Sequence, residues 1–470
     1  MTSGELLKQV ESLRWQLPRN FHDRLTESLY GEANRIASRR TFRAGDSRRL
    51  ALQRTMDRVL TSPWTGFPVM AVIFTIVLWV TIAGANVPSG MLYTLLIDNG
   101  VPFLKGLTGA IHMWGPLEGF LVDGIYLTCA WVVSVMLPPM AIFFPMFTLL
   151  EDFGYLPRVA FNMDRLFQSA GAHGKQSLTM TMGLGCNAAG VIAARVIDSP
   201  RERLIAIVTN NFSLCNGRWP TQIMIATIFL GALAPAPVAS LTAAFSVFAI
   251  AAIGFLMALL TSWMLSRSFL RGEVSAFSLE LPPYRPPRIW RTLYTSIIDR
   301  TLFVLWRAVV FAVPAGAVIW LIANISFSGH SVAWWMVTTL DPVGWFLGLT
   351  GVILVAYIVA IPANEIVIPT VLMLTVHMTG LSGVGEQGAG VMFETGDNAI
   401  LHQILTAGGW TTLTAVCLML FSLCHNPCST TIYTIYKETK SAKWTAVATF
   451  MPLLIGVVLC ALVAFVWRSF

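Results

Sequence analysis

Long apolar runs separated by short basic stretches dominate this chain. Nearly continuous apolar sequence covers Phe67 to Gly84, Gly124 to Leu150, Ile223 to Leu265, Leu302 to Ala323, Val343 to Ile361 and Ala446 to Trp467. A helix needs roughly 20 apolar residues to cross a bilayer. The runs therefore predict an all-α, polytopic membrane protein, with roughly eight to ten membrane segments once the longest runs are allowed to bend or split.

Polar and Gly/Pro-rich interruptions recur at corresponding places in two halves. A proline-containing span (Pro138, Pro139, Pro145) leads to the interrupted segment Leu178 to Val196. A span with Pro314 leads to Ile361 to Pro369, and then to an interruption at Cys424 to Cys428. Unwound backbone cannot face lipid, so paired broken segments point to two gate-type repeats around a pathway. Positive residues on both flanks of Leu178 to Ala194 (Arg158, Arg165 and Lys175 before it, Arg195, Arg201 and Arg203 after it) predict a re-entrant segment. The chain is divided as residues 1–62, a cytoplasmic helical neck; 63–123, a first span and loop; 124–266, a first gate repeat; 267–301, a cytoplasmic connector; and 302–470, a second gate repeat with a terminal span. The neck rests on Leu25, Leu29, Ala33 and Ile36 sharing one helical face, against the alternative of a disordered basic tail.

Composition supports this division: 55% of residues are hydrophobic and 12% charged, about half the charge of a soluble domain. The net charge of +7 does not imply nucleic acid, because the cations sit between apolar runs. Arg35, Arg39, Arg40, Arg43, Arg48, Arg49, Arg54 and Arg58 precede the first span, and no signal-peptide pattern does. They place the N-terminus of this multi-pass chain in the cytoplasm. The 7 cysteines lie in or beside apolar segments, so no secreted disulfide framework is indicated.

The chemistry concentrates in the interruptions. Gly183-Leu184-Gly185-Cys186-Asn187-Ala188-Ala189-Gly190 places a thiol and an amide in a glycine-broken segment. Thr209 to Arg218, containing Asn210, Asn211 and Cys215, sets polar groups within an apolar stretch, where they are costly and face a pathway or one another. Glu365 stands alone among Ile361, Pro362, Ile366 and Pro369; it is either a pathway carboxylate or a helix-end carboxylate at the interface. His425, between Cys424 and Pro427, is either a ligand or a core histidine, and Cys129, Cys417 and Cys460 read as packing.

Taken in order, these segments resemble the membrane part of ferrous iron transport protein B. The match runs through Glu151 to Arg158, Asn162 to Leu166, Gly185-Cys186-Asn187, Arg201-Glu202-Arg203, Asn210 to Pro220, Pro427 to Ile432 and Lys437-Glu438-Thr439. The chain departs from the family at Ala188-Ala189, Asn211 and Asn364, where the family carries Val-Pro, proline and lysine. The family's N-terminal G domain needs Gly-x-x-x-x-Gly-Lys-Ser/Thr. The nearest match here, Gly174-Lys175, is followed by Gln176 and has Ser169 at the first glycine.

The resemblance implies a permease for ferrous iron, with Fe²⁺ as cargo and no permanent cofactor. Its expected partners are the bilayer, a GTPase on a separate chain and a small accessory protein of the same uptake system, with homo-oligomerisation left open. Fe²⁺ accepts thiolate, imidazole, carboxylate and amide oxygen, so the expected metal-contacting residues are Cys186, Cys215, Cys428, Glu365, Asn187 and His425. A carrier for another divalent metal or a nucleoside, and a non-transporting assembly subunit, are the alternatives. No catalytic constellation supports an enzyme.

Overall fold

The computed structural model describes residues 21–40, 48–270, 289–327, 329–381, 391–393 and 398–469, and they are almost entirely helical. Among them, six helical runs are long and apolar enough to cross a membrane: Trp64–Ala110, Gly115–Asp152, Ala239–Arg267, Ile289–Asn324, Thr412–Thr439 and Ala442–Ser469. A bent pair and the shorter apolar helix Trp219–Leu233 add to these.

The chain opens with α1 (Phe21–Arg40) and α2 (Arg48–Thr61), which leads into α3 (Pro63–Tyr93) and α4 (Gly100–Ala110). Trp64, Val72, Ile76, Trp79, Val87 and Met91 of α3 are exposed, as befits a lipid-facing surface. Helix α5 (Leu127–Asp152) is central, with Trp131, Val132, Phe143, Phe144 and Phe147 buried. Its three interior prolines lack N–H donors, and the helix is held by neighbours on several sides. Helix α6 (Tyr155–Ser169) follows, and α2 docks on it: Arg158 Nε donates to Asp57 Oδ1 at 2.9 Å, and Asn162 Nδ2 to the Leu60 carbonyl at 2.6 Å. Leu25, Leu29 and Ile36 of α1 are exposed.

After α6 come two broken pairs. Helix α7 (Gln176–Gly185) and α8 (Asn187–Ala193) are separated by Cys186 alone; α9 (Pro200–Thr209) and α10 (Trp219–Ile225) are separated by 210–218. Lys175 Nζ, at the entry of α7, lies 2.9 Å from Asp198 Oδ2 and 3.0 Å from the Val196 carbonyl, beyond the exit of α8. The segment enters and leaves at one end of the bundle, as the positive flanks predict. Gly174-Lys175 therefore forms the base of this hairpin.

The apolar run from Ile223 to Leu265 is divided at Pro235 and Pro237, after which α11 (Ala239–Arg267) begins. Helix α12 (Phe303–Asn324) leads to a two-stranded hairpin, β1 (Ser326–Phe327) with β2 (His330–Ser331). Then come α13 (Val332–Phe346), α14 (Gly351–Val359) and α15 (Val367–Thr379). The run from Val343 to Ile361, read from sequence as one span, is instead bent by 112° between α13 and α14. Gly348, at φ 71°, makes the turn; uniformly apolar neighbours conceal it from hydropathy. The chain closes with α16 (Asn398–Ala407), α17 (Thr412–Cys424), α18 (Ser429–Thr439) and α19 (Ala442–Ser469).

The two halves repeat one backbone device. Gly171 (φ 72°) and Gly348 (φ 71°) make matching turns. Asp164 Oδ1 accepts the Gly174 N–H at 2.8 Å, and Asp341 Oδ1 accepts the Gly351 N–H at 2.7 Å. Cys186 (φ −151°, ψ 121°) and Ala363 (φ −151°, ψ 120°) break the following helices in the same conformation, each followed by asparagine. Every pair is 177 positions apart.

Candidate functional site

The four broken segments meet inside the bundle. At the first break the Gly185 carbonyl accepts the Asn216 N–H at 3.1 Å; on the other side the Ile361 carbonyl accepts the Ser429 N–H at 3.0 Å. Each helix of one broken pair thus satisfies a backbone group freed in the other. The Asn187 amide, turned so that its nitrogen faces the carbonyls of Gly183 (3.0 Å) and Ser213 (3.1 Å), ties the first break to the second. Asn210 Nδ2 donates to the Asn187 carbonyl at 2.8 Å. A Cβ at Gly183 or Gly190 would lie 2.5 or 2.3 Å from Asn210 Oδ1, so both glycines make room for this amide.

Arg218 joins the second break to the fourth. Its guanidinium donates to the carbonyls of Asn211 (3.0 Å), Leu423 (3.0 Å), His425 (2.8 Å) and Asn426 (3.1 Å), and to Asn211 Oδ1 (3.2 Å). Asn211 Nδ2 donates to the same His425 carbonyl at 2.7 Å. Carbonyls left over where α17 stops are thereby satisfied without water. In the sequence Arg218, Asn210 and Asn211 stand out only as polar members of one stretch. The signal available was an arginine at membrane depth with no nearby acidic residue in sequence.

Around this knot lie the sequence-predicted residues. Cys186 and Cys215 are buried, while Cys428 and Glu365 are partly buried. The Asn364 amide approaches Cys215 Sγ at 3.9 Å, and Cys428 Sγ sits 3.3 Å from Thr431 Oγ1. Gly217 lies against the Glu365 carboxylate. Cys186 is within electrostatic range of Cys215 and Cys428, and Cys215 and Cys428 are within range of Glu365. Among the described residues no three His, Cys, Asp or Glu side chains form a metal cage. Beside Cys186, Gly185 and Asn216 a cavity of about 10 Å³ opens, lined also by Thr81 and Phe143. That is room for about one water molecule.

His425 is placed differently. Its carbonyl enters the Arg218 knot, while its buried ring packs on Tyr357 and Phe421, with centroids 4.6 and 5.4 Å away. Cys417 and Cys460 face each other between α17 and α19, Cys460 Sγ donating to the Cys417 carbonyl at 3.2 Å.

Paired broken helices interlocked within a helical bundle define a gate-type membrane protein. The family described as "Gate: Nucleoside recognition" matches residues 133–230 and 305–442, which enclose the four breaks. The family described as "Ferrous iron transport protein B C terminus" matches 247–299, between those halves. The chain belongs to the ferrous iron transport protein B family, through its membrane gate part.

Named relatives agree. The chain is 28% identical over 415 residues to the Fe(2+) transporter FeoB of Staphylococcus aureus (strain MSSA476), covering 86% of this chain and 57% of that protein. It is 32% identical over 286 residues to the Fe(2+) transporter FeoB of Salmonella typhimurium (strain LT2), covering 59% of this chain and 34% of the relative. The chain thus spans little more than half the length of the staphylococcal protein and about a third of the other. No solved structure matches it.

Proposed function

We propose that this chain is the membrane permease of a ferrous-iron uptake system, with Fe²⁺ passing along the seam where the four broken helices meet. The observation carrying this reading is the gathering of Cys186, Cys215, Cys428 and Glu365 at that seam. Thiolate, carboxylate and amide oxygen suit Fe²⁺, and separated stations suit an ion that must leave as readily as it enters. Asn187 and Asn364 supply amides beside the stations. His425 stands next to the path, contributing its carbonyl to the Arg218 knot. The relatives' printed name, Fe(2+) transporter, supports the same cargo.

In this reading α1 and α2 form the neck in the cytoplasm, and 124–266 and 302–470 hold the two gate repeats; the rest of the neck, at 1–20 and 41–47, and the middle of the 267–301 connector, at 271–288, lie outside the described residues. The protein lies in a prokaryotic inner membrane. A GTPase on a separate chain and a small accessory protein of the same system regulate it.

Uptake of labelled Fe²⁺ under reducing conditions tests the proposal, in cells that supply a partner GTPase. Cys186→Ser and Cys215→Ser each exchange a soft ligand for a harder, poorer one, and Glu365→Gln removes charge at nearly constant volume. Each should lower uptake at unchanged expression. Normal uptake by all three variants would refute the pathway.

A further inference from the structure

We propose that Arg218 is a tethered cation that fills a cation site built of backbone oxygens. Five oxygens converge on its two terminal nitrogens at 2.8–3.2 Å: the carbonyls of Asn211, Leu423, His425 and Asn426, and Asn211 Oδ1. Arg218 is 2% exposed, and Asn211, His425 and Asn426 are buried with it. No carboxylate hydrogen-bonds the guanidinium among the described contacts. Three of the carbonyls belong to the end of α17 and the break after it, where a helix presents its negative pole.

Carbonyls of unwound backbone at a half-helix C-terminus form the kind of oxygen set that holds a dissolved cation. Here the cation arrives on a side chain from the opposite broken pair. Arg218 thus supplies permanently, at the cost of mobility, the charge that a bound alkali ion would bring and take away. It also fixes the second break, which carries Cys215, against the fourth, which carries Cys428. The charge and hydrogen bonds at the knot are the same whichever ion the seam carries.

Removing the side chain should convert the knot into an open site for a small cation. In purified Arg218→Ala, low-millimolar guanidinium chloride, far below denaturing concentrations, should raise the melting temperature above that in equal choline chloride. The unsubstituted chain should show no such difference, because its site is filled. A folded Arg218→Ala that responds identically to both salts would overturn the proposal.

Should Arg218→Ala fail to reach the membrane, Arg218→Lys and Arg218→Met decide. Both keep a long side chain, and only lysine keeps the charge. Lysine should yield on the order of tenfold more folded protein in membranes than methionine. Equal yields, or more from methionine, would overturn the proposal. Iron uptake enters neither measurement, so failure here is separate from failure of the permease reading.

Discussion

Gly217 lies directly against the carboxylate of Glu365: a Cβ at position 217 would come 2.5 Å from Glu365 Oε1 and 2.6 Å from its Cδ. The closest atoms are the far end of a flexible side chain, which can swing aside at little cost. Gly217→Ala should therefore shift the carboxylate without unfolding the protein. We expect Fe²⁺ uptake to fall several-fold while stability changes by about 1 kcal/mol or less. Parallel uptake and thermal-melt measurements check this, and a variant that melts early but transports normally per folded molecule contradicts it.

Gly190→Ala should behave in the opposite way. The added methyl would meet Asn210 Oδ1 at 2.3 Å and the Thr179 carbonyl at 2.6 Å, and backbone cannot swing aside. Overpacking of this kind costs about 1–3 kcal/mol or more. The expected result is a clear drop in melting temperature in detergent. Unchanged melting would mean that α7 and α8 separate more easily than their packing implies.

The repeated aspartates offer a matched pair. Asp164→Ala and Asp341→Ala each leave one backbone N–H, at Gly174 or Gly351, without its acceptor. Each should destabilise by about 1–3 kcal/mol, and the double variant should lose about the sum, since the sites are distant. Chemical denaturation of the three variants tests the equivalence. A negligible effect at one position would show that the two hairpin bases are not held alike.

Acid should loosen the base of the first hairpin. The hydrogen bond from Lys175 Nζ holds the Asp198 carboxyl below the usual aspartate range. A depressed carboxyl stabilises the fold above its unfolded value, about 3.9, and that contribution disappears as pH falls through the lower folded value. The ion pair should be intact from pH 5 upward and fail only below about pH 4. Because Asp198 is largely exposed, the effect is modest. Melting temperatures of Asp198→Asn and the parent should differ at pH 6 and converge as acid is added. A constant difference down to pH 3 would disprove the assignment.

The apolar spans, the broken segments and the thiols within them were legible in the sequence because long hydrophobic runs and isolated polar groups each carry a strong signal. The family resemblance added the ordering. The repeat was much less visible, since its common residues are chiefly Asp164 and Asp341, Gly171 and Gly348, Gly174 and Gly351, Asn187 and Asn364. What repeats is conformation and backbone bonding, which different side chains can serve. The bend at Gly348 was hidden by apolar residues on both sides. Arg218 was out of reach for another reason: three of its partners are backbone carbonyls 205, 207 and 208 positions away, and a carbonyl has no letter in a sequence.

Cys186 and Ala363 occupy equivalent backbone positions, yet one ends in sulfur and the other in a methyl group. The second half carries its charge two residues further on, at Glu365. A chain that repeats one backbone device in both halves is thus chemically unequal at it: a thiol stands at the first break, and a methyl with a carboxylate two residues on stands at its counterpart. On the proposed pathway, travel in one direction meets the Cys186 thiol before the Glu365 carboxylate, and travel in the other meets them in reverse. The two journeys need not have equal barriers, even though the scaffold on either side is the same.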